Sequence, residues 1–120
     1  MNKLFYYKLI AESLKNELNL TDIHIHFKNI YKGFSSAKGY ISIPLWTLKN
    51  NSYCIYYIIH ELCHQVIYKR LGHFKHDADF KNEETILLNK FNLIPVYSKS
   101  YVKELIKNNI SVYKRTYSNE

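Results

Sequence analysis

Glycine and proline are scarce, three and two in 120 residues. That excludes collagen-like and low-complexity architectures and lets long stretches run without a breaker. Two cysteines cannot staple a small secreted scaffold. Cys54 and Cys63 are nine positions apart in one apolar run. On a helix that is about 13.5 Å, too far for bridged Cα atoms, which lie within about 7 Å. Acidic residues are also few, 10 Asp and Glu against 17 Lys and Arg, for a formal charge of +7. Such an excess suits a polyanion or an acidic partner, or serves solubility alone. No run approaches eighteen uninterrupted apolar residues, so no membrane span is expected. Met1-Asn2-Lys3 leads into Leu4-Phe5-Tyr6-Tyr7, but Lys8, Glu12 and Lys15 interrupt the run, which is not the form of an export signal. The expectation is an intracellular, cytoplasmic protein with no membrane partner.

Hydrophobic residues make up 47% and aromatics 16% of the chain, which is incompatible with a disordered polymer. The length suits one domain over residues 1–120, with a single core and no room for a second.

The chain is organised around Ile58-Ile59-His60-Glu61-Leu62-Cys63-His64, an instance of H-E-x-x-H. On a helix, residues four apart share a face about 6 Å apart, so His60 and His64 can grip one metal ion. Glu61 falls roughly 100° around the helix, beside the ion and placed to take a proton from water. Five residues arise easily by chance, so context decides. Ser52 is a suitable N-cap, and Tyr53 to Arg70 runs without Gly or Pro as a helix of about five turns. Cys54 to Ile59 is apolar nearly all round, which predicts a buried, central helix. Polar groups in such a helix need partners. Either a metal or a closed His/Glu hydrogen-bond cluster supplies them, and the spacing favours a metal.

Zinc takes a third protein ligand and keeps a fourth position for water. His76, Glu83 (or Glu84) and His73 are the candidates. Glu83 follows His64 with eighteen residues between, a spacing that also suits a ligand. His76 is favoured if Gly72 ends the active-site helix and Asp77 caps the next, because a ligand at the mouth of that helix swings in easily.

Around this centre, Leu4 to Leu20 reads as an amphipathic helix, with Leu4, Tyr7, Leu14 and Leu18 on one face together with Ile10 or Ala11. Thr21 to Phe27 alternates as a half-buried strand with His24 and His26 outward, either solvated or a chelating pair. Gly33 to Ser36 reads as a turn. Gly39 to Ile43 is a second strand closed by Pro44, a residue that suits an edge. Asp79 to Phe91 forms a helix with Phe80, Glu84, Leu87, Leu88 and Phe91 on one stripe. Glu84 there is either an acceptor for a ligand histidine's second N–H or a surface carboxylate paired with Lys. Beyond Pro95, a helix over 101–108 and a strand over 110–113 are expected. Lys99, Lys103, Lys107, Lys114 and Arg115 alternate with Tyr97, Tyr101, Tyr113 and Tyr117, a mixture that suits single-stranded nucleic acid or a snorkelling surface helix.

HELCH, then His76-x-x-x-Phe80-Lys81, then Glu84-x-x-Leu87-Leu88-x-x-Phe91-x-Leu93-x-Pro95-Val96 resembles the SprT-like and related WLM-type zinc metallopeptidase domains. The likeness spans roughly Tyr40 to Val96. It implies zinc on His60, His64 and His76, with Glu61 as general base. Asp77 stands where that family has glycine, and the cysteine-rich ribbon that often follows such domains is not among these residues. The implied fold is an α+β, zincin-like domain: N-terminal helix, small antiparallel-rich sheet, active-site helix and ligand-bearing second helix. The implied activity is zinc-dependent endopeptidase action on a protein or peptide substrate. Tyr40, Ile41, Ser42 and Ile43 are the expected substrate-binding edge, since unpaired strand groups can hold an extended peptide and a strand in this position borders the cleft in that family. The contrasting expectation is a basic nucleic-acid-binding module with a structural or catalytically silent zinc site.

Overall fold

The structure, a computed structural model, describes residues 2–30, 32–49 and 51–93, without the side chain of Tyr53. The expected helix over 101–108, the strand over 110–113 and the basic, tyrosine-rich C-terminal segment lie outside the described residues. The described chain is a small α+β unit of three α-helices and a three-stranded mixed sheet.

Helix α1 spans Lys3–Glu17 and starts where the side chain of Asn2 accepts from the amides of Leu4 and Phe5. It ends three residues short of the sequence expectation, where Asn19 adopts a left-handed conformation at φ 58°. Its buried face is Tyr7, Ala11 and Leu14, with Ile10 and Leu18 partly covered. Strand β1 spans His24–Lys28, β2 Phe34–Ser35 and β3 Tyr40–Pro44. Ile25, Phe27, Ile41 and Ile43 turn toward the helices, while His24, His26, Phe34 and Tyr40 stand exposed on the other face.

The sheet differs from expectation in three respects. Its order is β1-β3-β2, with β1 parallel to β3 and β2 antiparallel to it, so it is mixed and not antiparallel-rich. After Lys28 the chain crosses to the far side of the place β3 will occupy, runs back as β2, and returns through a turn at Gly39 (φ 88°). The chain thus reverses twice between β1 and β3, which leaves those two strands parallel. Tyr40–Ile43 is therefore the middle strand and not an edge, and Ile41, Ser42 and Ile43 are all buried. Pro44 ends the ladder because it has no N–H to donate. Third, the stretch read as a turn, Gly33 to Ser36, contains the edge strand β2.

Helix α2 spans Asn51–Leu71, entered through a short 3-10 turn at Leu45–Lys49. Ser52 thus lies inside the first turn and not at its cap. Asn51 is fixed by Tyr7, whose hydroxyl donates to its Oδ1 at 2.5 Å. Every residue of α2 from Cys54 to Gln65 is buried, as its apolar circumference requires. The helix stops at Gly72, whose φ of 76° and amide bond to Tyr68 O (2.8 Å) form a left-handed cap. Helix α3 spans Ala78–Asn89, with Asp77 Oδ1 accepting from Phe80 N at 3.0 Å. Phe80, Glu84, Leu87 and Leu88 are its buried stripe. Cys54 and Cys63 are free and buried, and no helix among the described residues is long and apolar enough to cross a membrane.

Candidate metal centre

Three histidines converge where α2 meets the mouth of α3. His60 and His64 stand one turn apart on α2, with ring centroids 4.8 Å apart and planes at 90°. The loop from Gly72 to Asp77 carries His76 back over them. Its ring lies 4.9 Å from that of His60 and 4.8 Å from that of His64. One ligand atom from each residue falls within a 4.8 Å group, and His76 Nε2 is 3.0 Å from His64 Nε2. A metal ion with bonds of about 2.0–2.1 Å sets its ligand nitrogens about 3.3 Å apart, a spacing the His64–His76 pair approaches, so the group could hold an ion. Among the described residues this is the one group of three or more such side chains that could hold a metal.

The protonation states suit the same purpose. Burial, then the neighbouring His60 and His76, push the His64 imidazole down to about 2, so it is neutral and keeps a lone pair. His60 Nδ1 lies 2.7 Å from Glu84 Oε2, both side chains being wholly buried. A carboxylate only accepts, so Nδ1 carries the hydrogen and Nε2 is left as the donor atom for a metal. Among the described residues, the buried atoms His60 Nε2, Glu61 Oε2 and His64 Nδ1 take part in no hydrogen bond. Orphaned buried polar atoms are costly, and an ion on His60 Nε2 removes one of them.

The walls are aromatic. The ring of Phe80, wholly buried, sits 5.1, 4.6 and 4.9 Å from those of His60, His64 and His76. Phe74 lies 5.9 Å from His64 and stacks on Tyr68 at 4.6 Å. On the sheet side, Gly33, Phe34, Ser35, Glu61, His64 and Phe74 line a cavity of about 380 Å³. Glu61 thus stands beside the histidine cluster and on the wall of the cleft.

The alternatives for the third ligand are engaged elsewhere. Glu83 accepts from Arg70 Nη2 at 2.8 Å. His73 pairs with Asp77 through Nε2 at 3.0 Å and accepts from Lys75 N through Nδ1. Glu84 reaches the cluster through His60 and not as a member of it. His24 and His26 are exposed beside Tyr40 and belong to no such group. Asp77, in the place of the expected glycine, has φ −86°, an ordinary extended conformation that any residue adopts. Its side chain is used as the cap of α3.

Sequence reasoning missed the polar contacts from α2 to β2. Tyr57 Oη accepts from Gly33 N at 2.9 Å, Ser35 Oγ donates to Glu61 O at 2.7 Å and lies 3.0 Å from Glu61 Oε1, and Gln65 Nε2 donates to Ser36 O at 2.9 Å. Their signal was present as polar tips at 57, 61 and 65, a four-residue spacing beside the histidine stripe.

Scans of protein-family models, curated proteins and solved structures each returned no match to this chain.

Proposed function

We propose that this chain is a zinc-dependent endopeptidase with His60, His64 and His76 as the metal ligands and Glu61 as the general base. The observation that carries the reading is the division of labour between neighbouring residues of α2. His60 and His64 join a three-nitrogen cluster, while Glu61 stays outside it, on the wall of a cleft. A closed structural site would need a fourth protein ligand, and among the described residues the cluster has three members. Zinc held there supplies a Lewis acid that brings water's pKa near neutral and polarises a carbonyl. Glu61 takes the proton from the attacking water and returns it to the leaving amine. Glu84 holds His60 in the donor tautomer. Phe80 and Phe74 wall the cluster off from bulk solvent on their side, which strengthens the charge interactions there. The likeness of the HELCH–His76 stretch to SprT-like domains supports the same reading.

The test is hydrolysis of an unfolded substrate such as casein by zinc-loaded protein, beside Glu61→Gln. Wild type should cut, and the variant should keep its zinc while losing on the order of 10²–10⁴ in rate. A wild type that cleaves nothing, with or without DNA, yet binds DNA tightly would replace this reading with the nucleic-acid-binding one.

A further inference from the structure

Glu61 does not stand alone on the cleft wall, because the edge strand touches it. Ser35 Oγ lies 2.7 Å from the carbonyl oxygen of Glu61 and 3.0 Å from its Oε1. The single hydroxyl proton is shared in a three-centre bond between the backbone and carboxyl oxygens of one residue, which links the side chain of Glu61 to its own helix through β2. A glutamate has three rotatable side-chain bonds, and a hydrogen bond at its tip helps select one rotamer within the space that burial leaves it.

Ser35 can do this because the strand that carries it is itself pinned. Two residues before it, Gly33 N donates to Tyr57 Oη, and one residue after it, Ser36 O accepts from Gln65 Nε2. Tyr57, Glu61 and Gln65 lie four residues apart and form one stripe of α2. The β2 segment lies along that stripe with Glu61 at its middle contact. The approach is close enough to exclude a side chain at Gly33, where a Cβ would come 2.5 Å from Tyr57 Cε1 and 2.6 Å from Ser42 O.

We propose that Ser35 is a positioning residue for Glu61, holding its carboxylate in one conformation at the cleft. The inference rests on the peptidase reading for its kinetic consequence, but not for its structural one. A misplacement of about 1 Å in a reacting group costs on the order of 10²-fold in rate, so the tether acts on turnover and not on substrate or metal affinity.

The decisive pair is Ser35→Thr and Ser35→Val, which share a shape and a β-branched preference for strands but differ in the hydroxyl. Two measurements are made on each full-length protein. Crystal structures compare the conformation of Glu61, and kinetics on the zinc-loaded forms separate kcat from KM. Glu61 should keep one conformation in the Thr variant and scatter or turn away in the Val variant. Ser35→Val should lose roughly 10- to 100-fold in kcat, with KM and zinc content within twofold of wild type, and Ser35→Thr should recover most of the loss. Equal kcat in the two variants, or one unchanged Glu61 conformation in both, overturns the proposal. If wild type hydrolyses nothing, the peptidase reading fails, and the Glu61 conformations in the two variants still decide this inference.

Discussion

Glu84 Oε2 lies 2.7 Å from His60 Nδ1, with both side chains wholly removed from solvent. The contact joins α3 to α2 behind the histidine cluster, and it sets which nitrogen of His60 faces a metal. Glu84→Gln keeps the shape but replaces an acceptor-only group with an amide that can turn a donor toward Nδ1. Zinc affinity, measured by competition with a chromophoric chelator, should fall roughly 10- to 100-fold. An unchanged affinity would reduce Glu84 to a packing residue.

The ligand assignment makes a separate prediction. His60→Ala, His64→Ala and His76→Ala should each lose most bound zinc, from about one ion per chain, while Glu83→Gln keeps it. Elemental analysis after dialysis reads the result. Zinc lost from Glu83→Gln and retained by His76→Ala would move the site to a His-His-Glu set.

Phe80 serves both the core and the cluster. Phe80→Ala removes a wholly buried ring that touches all three imidazoles. Truncations of this kind cost about 3–5 kcal/mol, to be read from denaturant unfolding of the metal-free protein. A loss below about 1 kcal/mol would mean that the site collapses freely around the gap.

The two glycines that shape the site should fail differently. Gly33→Ala places a methyl against Tyr57 and the Ser42 carbonyl, an overpacking cost of about 1–3 kcal/mol. Gly72→Ala meets nothing within 4 Å, but it must hold a φ of 76°, which costs about 1 kcal/mol. Urea unfolding of each variant gives both values. Only Gly33→Ala should also alter the cleft, seen as lost protection from hydrogen exchange at the Gly33 and Ser36 amides, which are bonded to Tyr57 Oη and Tyr40 O. Protection equal to wild type would show that β2 tolerates the methyl group.

Burial raises the Cys54 thiol to about 11, against a weaker opposing bond from Thr47, and pushes Cys63 well above 9. Neither should react with a thiol reagent at pH 8 until the protein unfolds. The folded state holds the Cys54 proton more tightly than the unfolded chain, where a thiol titrates near 8.5. Its contribution is therefore complete below about pH 8.5 and is lost as pH rises toward 11, at up to about 1.4 kcal/mol per unit. Unfolding free energies between pH 8 and 11 should fall more steeply for wild type than for Cys54→Ala. Equal slopes would remove Cys54 as the cause.

Much of the helical frame was legible in the sequence because its signals are local. The apolar circumference of Cys54 to Ile59, the stop at Gly72, the cap at Asp77 and the Phe80-Glu84-Leu87-Leu88 stripe each depend on neighbours within a turn or two. His60 and His64 came from their spacing within an apolar, breaker-free helix, and His76 from its place at the mouth of α3. The sheet was harder. Two residues of β2 are too few to show alternation, and Pro44 marks the end of a strand equally well in the middle of a sheet as at its rim. Which strand lies between which is decided by the crossover after Lys28, a long-range event with no local pattern. Ser35 went unseen for the same reason, since its partner is twenty-six positions away.

The three nitrogen donors all come from the seventeen positions between His60 and His76, while Ser35 arrives from the other side of the molecule. The group that could hold an ion and the residue that completes the cleft thus belong to different parts of the fold. Every donor lies on α2 or on the loop into α3, and none comes from the sheet. Stoichiometric metal then reports on one half of the molecule and turnover on both. On the peptidase reading, a variant whose β2 is unseated should therefore keep its metal and lose turnover.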